Sequence, residues 1–151
     1  GVENYIALVG KKSPDLEEKV GYYGEKLVLK AQELGLSTCW VALTHGKSQA
    51  QIEKGEKLAC VIAVGYGKNQ GKPHKDKPLE KLCNCSAKMP DWFARGMEAV
   101  LLAPTAMNQQ KFYFTLEGDR VRARAGRGFL TKMDLGIVKY HFEAATGRKV
   151  E

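Results

Sequence analysis

The 151-residue sequence predicts an α+β fold. Three observations carry that expectation. From Ser13 to Leu34, apolar residues recur at three- and four-residue steps, the spacing that lines one face of a long helix. Residues 5–9 and 58–64 are short, continuous apolar runs bounded by glycine and polar residues, the composition of buried strands. Phe112 to Leu116 and Arg120 to Ala125 flank Glu117-Gly118-Asp119, a glycine-containing hairpin signal.

In chain order, Tyr5 to Val9 reads as a strand and Gly10-Lys11-Lys12 as a loop. Ser13 is placed to cap a helix with Pro14 at its first position, and Asp15, Glu17 and Glu18 complement the helix dipole. Leu16, Val20, Tyr23, Leu27, Ala31 and Leu34 form its apolar face, and Gly35 ends it. Gly21 and Gly24 disfavour a helix intrinsically, so their presence inside one implies close packing against a backbone or a ligand. Residues 36–43 lead into a polar segment with a short helix expected around Gln49 to Lys54. The strand at Leu58 to Val64 closes at Gly65-Tyr66-Gly67. A second helix, Asp91 to Leu102, is entered through Pro90 and carries Trp92, Phe93, Met97 and Val100 or Leu101 inward; Pro104 stops the run that ends it. In the hairpin, Arg120, Arg122 and Arg124 alternate with Val121, Ala123 and Ala125, giving one buried face and one basic rib. A last helix spans about Met133 to Ala145. Gly24 and Gly35 bracket the first long helix as Gly136 and Gly147 bracket the last, a weak internal repeat.

Apolar residues at 44% and charged residues at 27% are ordinary for a globular domain and argue against a disordered or fibrous chain. No apolar run approaches the length of a membrane span, and residues 5–9 are too short for a signal peptide, so a cytoplasmic protein is expected. The net charge of +7 implies attraction to anions without saying which. It concentrates in Lys68, Lys72, Lys75, Lys77 and Lys81, and in Arg120, Arg122, Arg124 and Arg127. Solvated surface and a polyanion site both fit these clusters, although no stacking aromatics interleave the arginine rib. Cys83-Asn84-Cys85 lacks the second ligand pair of a zinc site, so free thiols are expected. Cys39 and Cys60 sit in apolar context as small core residues. His45 is a lone histidine in a polar loop and receives no role.

The most informative stretch is Ala103-Pro104-Thr105-Ala106-Met107-Asn108-Gln109-Gln110, followed by Phe112-Tyr113-Phe114. Thr105 and Ala106 let a backbone approach a ligand closely, and Asn108, Gln109 and Gln110 offer amides that can read a heterocycle's edge. A plain polar connection between helix and strand fits the same residues. With Lys111 and Phe112, however, the segment is similar to the Pro-Ser-x-x-Asn-x-Gln-Pro-Trp stretch of the flavin-dependent nitroreductase family, Lys111 standing for the proline and Phe112 for the tryptophan. Leu34-Gly35-Leu36-Ser37-Thr38-Cys39-Trp40-Val41 resembles that family's Leu-Gly-Leu-Gly-Thr-Cys-Trp helix exit. Val61 to Gly67 resembles its Gly-Tyr strand end, and His74-Lys75-Asp76-Lys77-Pro78 its basic pair.

The resemblance implies a central, mostly antiparallel sheet flanked by helices. It also implies FMN as cofactor, held by Pro104, Thr105, Ala106, Asn108 and Gln110, by a turn at Trp40, Val41 and Ala42, and at its phosphate by Lys75 and Lys77. The implied reaction passes a hydride from NAD(P)H to the flavin and on to an electron-poor acceptor such as a nitroaromatic or quinone. No catalytic acid is nominated and no metal is expected. The likeness is to a group resembling a dimer fused within one polypeptide, with about 1–88 the rest of a first half and 89–151 the start of a second. The family's N-terminal Arg-Arg-Ser-type motif has no counterpart, as though that part were removed or lay on another chain. Pairing with a second copy through the two long helices, the Ser13 to Leu34 helix foremost, or membership of a larger polypeptide is therefore expected. The alternative function is a basic module binding nucleic acid or another polyanion without catalysis.

Overall fold

The computed structural model describes residues 4–44, 46–69, 71–84 and 88–151; His45 and Cys85 lie outside them. Among the described residues, eight strands and α-helices run in the order β1 (Tyr5–Lys11), α1 (Leu16–Glu33), β2 (Ser37–Val41), β3 (Glu56–Gly65), α2 (Asp91–Leu101), β4 (Phe112–Glu117), β5 (Arg120–Ala125) and α3 (Thr131–Thr146). Two antiparallel sheets result: β3 lies between β1 and β2, and β4 pairs with β5. Opposite β1, the register slips between Leu8 and Val9, leaving Ala59 of β3 as the extra residue of a bulge. Strand alternation sends Leu8, Cys60 and Ile62 to one face, where they pack with Leu16 and Val20 of α1 and Met133 of α3.

The second core is aromatic. Phe93 of α2, Phe114 of β4 and Phe142 of α3 are each fully buried, with Phe114 stacked on Phe142 at 5.3 Å between ring centres and Phe93 tilted against it at 5.5 Å. A side chain at Gly96 would run into the Phe142 ring, which explains a glycine inside α2. Met97 and Val100 are buried as the spacing predicts, while Trp92 and Leu101 pack at the margin. The hairpin turns through Gly118 and Asp119, with Gly118 at φ 61°, a conformation that side-chain-bearing residues resist.

α1 and α3 join the two cores. They cross where glycines face glycines' neighbours: a Cβ at Gly21 would strike the Met133 carbonyl, and one at Gly136 would strike the Glu18 carbonyl. The close approach expected of Gly21 is thus made within the chain, by α3. Gly24 serves differently, because its missing Cβ seats the Trp40 ring and Leu8.

Several boundaries differ from expectation. α1 begins at Leu16 rather than Pro14; Asp15 occupies the cap without a side-chain cap, since the Ser13 hydroxyl donates to the Asp15 carboxylate instead, at 2.6 Å. Its end is as predicted: Gly35 takes φ 75°, its N–H reaches the Gln32 carbonyl at 3.0 Å, and the Leu36 N–H reaches Ala31 at 2.9 Å. Tyr23, Leu27 and Leu34 are exposed, because the buried face of α1 rotates toward α3 through Gly21, Gly24 and Glu25. No helix forms at 49–54; the Gln49 N–H donates to the Tyr5 hydroxyl at 2.8 Å, and the segment ends in a turn in which the Glu56 N–H reaches the Glu53 carbonyl. Trp40 and Val41 are not in a turn but in β2, paired with Ile62 and Val61. Cys39 points outward and is exposed, whereas Cys60 is buried.

Candidate functional site

Between the two cores lies a cavity of about 170 Å³. Trp40 and Ala42 line one side with Cys60, Pro104 to Met107 line the other, and Leu130, just before α3, closes it with Met133, Asp134 and Ile137 of α3. Segments more than sixty residues apart in the chain therefore meet here. β2 delivers Trp40 because strand alternation turns its ring toward α1, where Gly24 leaves room for it. α2 delivers the facing loop, its last turn ending with the Ala103 N–H on the Val100 carbonyl at 3.1 Å, immediately before Pro104.

The loop is held in an unusual backbone. Met107, Asn108 and Gln110 adopt φ of 51°, 49° and 43°, the left-handed region that non-glycine residues enter at a cost of about 1 kcal/mol or more each. Buried Asp134 compensates: its carboxylate accepts the Ala106 N–H at 2.9 Å and the Gln109 side-chain amide at 2.7 Å. That amide also donates to the Phe129 carbonyl, and the Thr105 hydroxyl accepts the Gln110 N–H. Burial pushes the Asp134 carboxyl above its ordinary value, while the two N–H donors act in the opposite direction.

Of the sequence-predicted residues, Trp40, Ala42, Pro104, Thr105 and Ala106 converge on this cavity. Val41 faces away, as strand alternation requires, into a separate cavity of about 400 Å³ lined also by Asn4, Tyr5 and Lys47. Asn108 and Gln110 turn toward the lysine loop. Asn108 donates to the Lys75 carbonyl at 2.8 Å; buried Gln110 donates to the Asp76 carboxylate and accepts the Lys77 N–H at 2.7 Å. The Lys77 ammonium donates to the carbonyls of Gln109 and Gln110 at 2.7 and 3.1 Å. The lysine loop and the 108–110 turn are thus one unit, with the Lys75 side chain exposed at its surface.

Sequence reading missed Asp134, Glu25 and His141, and the Gln109 amide expected to read a ligand is instead spent on Asp134 and the Phe129 carbonyl. Asp134 follows Thr131 at capping-box spacing, a signal that was available; its carboxylate, however, reaches the facing loop rather than its own helix end. The arginine rib is solvent-facing as expected, yet Arg120 pairs with Glu151 at 3.2 Å and Arg122 with Glu117 at 3.3 Å, while Arg124 lies over the Tyr113 ring. Among the described residues, no helix is long and apolar enough to cross a membrane.

A family model described as "Putative TM nitroreductase" matches residues 1–146. The chain belongs to that family. A solved structure from Thermotoga maritima, described as a "putative nitroreductase", superposes with a TM-score of 0.76 at 25% identity. The match covers 93% of this chain and 59% of that one, so the chain spans about three fifths of its solved relative. No curated protein matches. The nitroreductase-like α+β fold expected from the sequence is the fold observed.

Proposed function

We propose that this chain carries part of an FMN site in an oxidoreductase that takes a hydride from NAD(P)H and delivers it to a nitroaromatic or quinone-type acceptor. The observation that carries the proposal is the convergence of Trp40 and Ala42 with Pro104, Thr105 and Ala106 on one cavity. The residues fit a flavin ring: an indole, two alanines, a proline and two methionines offer apolar walls, while Thr105 and Asp134 bring polar atoms to the edge. When bound, the flavin would supply the hydride chemistry. The protein's part is to orient and partly desolvate the ring, with the 104–107 loop rigid because Asp134 holds it. Asn108, Gln110 and the Lys75/Lys77 loop form the adjoining polar unit, which offers the phosphate an exposed ammonium at Lys75 and the remaining N–H of Lys77.

At about 170 Å³ the cavity is smaller than the roughly 300–1000 Å³ of pockets that enclose a small ligand. On this reading the chain supplies one side of the site, and a second copy of it supplies the other. The α1–α3 crossing supports two related halves, since Gly21 stands to Met133 and Ile137 as Gly136 stands to Glu18 and Tyr22. The test is titration of purified chain with FMN, followed by flavin absorbance after removal of excess. Retained yellow colour, diminished in Trp40→Ala and Asp134→Ala, is expected; a colourless chain after saturating FMN refutes the proposal.

A further inference from the structure

A polar chain runs through the interior beneath the cavity and touches both of its sides. Glu25 of α1, 1% exposed, accepts the Trp40 indole N–H on Oε2 at 3.1 Å. Its Oε1 lies 2.8 Å from Nε2 of His141 on α3, a residue 7% exposed. The His141 Nδ1 lies 3.0 Å from the carbonyl of Ala99, in the last turn of α2. A carbonyl only accepts, so Nδ1 carries a hydrogen. Nε2 then makes the remaining hydrogen bond of the ring with the Glu25 carboxyl. Every polar atom of both side chains is engaged.

The placement gives this chain a consequence for the cavity. Trp40 is one wall; Ala99 sits in the turn that feeds Pro104 to Met107, the opposite wall; and His141 lies one helical turn beyond Ile137, which lines the cavity between them. Gly24 and Glu25, adjacent on α1, divide the work on one side chain: the first makes room for the Trp40 ring, the second fixes its N–H. We propose that Glu25 and His141 are positioning residues that hold the two walls of the cavity in register, fixing the plane of the Trp40 indole against the 103–107 loop. The proposal rests on the reading of this cavity as the flavin's ring site for its effect on affinity, but not for the wall geometry itself. A pair serving only the core would need neither a partner on the cavity wall nor one in the turn beneath the loop; two buried apolar residues fill such space with less desolvation.

The test uses the whole chain, labelled with nitrogen-15, and FMN as probe. The Trp40 indole N–H resonance, assigned through Trp92→Phe, should be protected from exchange in the unsubstituted protein. Glu25→Gln restores each bond, its amide oxygen accepting from Trp40 and its amide N–H donating to Nε2, and should keep both the protection and the FMN affinity. Glu25→Leu should speed indole exchange and weaken FMN by on the order of tenfold, the scale of one lost hydrogen bond. It should also move the amide resonances of Ala103, Thr105, Ala106 and Met107 across the cavity. An indole that exchanges freely in the unsubstituted protein overturns the proposal without any variant. So does a folded Glu25→Leu protein with unchanged exchange, loop resonances and FMN affinity. If no form of the chain binds FMN, the flavin reading fails, and the indole exchange and loop resonances still decide the wall geometry.

Discussion

Replacing Gly136 by alanine tests the packing on which the whole arrangement depends. A Cβ there would lie 2.6 Å from the Tyr22 nitrogen and 2.9 Å from the Glu18 carbonyl carbon, and nearer still to its oxygen. Carbon contacts settle at about 3.5–4.0 Å, so the helices must separate by roughly an ångström. The atoms in the way are backbone, and no side-chain rotamer can relieve them. Against this, alanine favours a helix over glycine by about 1 kcal/mol. Overpacking costs typically 1–3 kcal/mol, and the upper part of that range applies where the obstruction is backbone. A net loss of about 2 kcal/mol follows, or a fall in Tm of roughly 4–8 °C for a chain of this length. Urea unfolding followed by circular dichroism should show a lower midpoint with an unchanged slope. Gly21→Ala should behave similarly, and the double variant should lose less than the two losses added, because the first separation already makes room for the second side chain. A Gly136→Ala protein as stable as the parent, or more so, would refute the reasoning.

Phe142→Ala removes the ring against which Phe93, Phe114 and Gly96 pack, and should destabilise by about 3–5 kcal/mol in the same assay; a loss under 1 kcal/mol would mean that the aromatic core collapses around the gap. Asp134 gives a pH dependence with a defined sign. Its carboxyl is raised by burial above the ordinary 3.8, so the folded state binds the proton more tightly than the unfolded one. Its contribution is therefore full below that value and declines as pH rises through the raised one. The pH profile of unfolding free energy should lose this decline in Asp134→Asn; an identical profile would exclude Asp134 as its source. For assembly, light scattering at several concentrations should show a species larger than 16.7 kDa whenever FMN is tightly held; a monomer with full flavin would show that one chain completes the site.

The parts of the fold legible in the sequence are those set by local chemistry. Gly35 and Gly118 announced a helix end and a hairpin turn because each needs a positive φ, and Met97, Val100 and Phe93 kept to their helical face. Tyr23 and Leu27 misled because periodicity locates an apolar stripe but not the neighbour that covers it. α1 is instead covered along the glycines, which carry no hydropathy signal at all. The candidate site divides the same way. Trp40, Pro104, Thr105 and Ala106 were named from their segments' resemblance to a family, whereas Asp134, Glu25 and His141 matter only through partners remote in the chain. Gly35 and Gly147 both end their helices at positive φ, as the bracketing repeat expected, while the glycines that meet the facing backbone at the crossing are Gly21 and Gly136 rather than Gly24 and Gly136.

That correspondence bears on how a cavity arises between two cores. Two helices whose backbones touch at a pair of glycines have little freedom to slide, since a residue that carries a Cβ would then have to face the carbonyl for which the glycine leaves room. α1 is thereby a fixed rail for Gly24 and Glu25, and α3 one for Asp134, Ile137 and His141. Each cavity wall hangs from one of these residues: Trp40 from Glu25, and the 104–107 loop from Asp134. The 104–110 segment alone could not hold its shape, because Met107, Asn108 and Gln110 sit in a backbone region that side chains disfavour. Its strain persists only because Asp134 and the Lys77 ammonium take up the N–H and carbonyl groups that the conformation exposes. Rigid helices, strained loop and buried carboxylates thus belong to one device, in which the glycine crossing fixes the distance and the carboxylates transmit it to the walls.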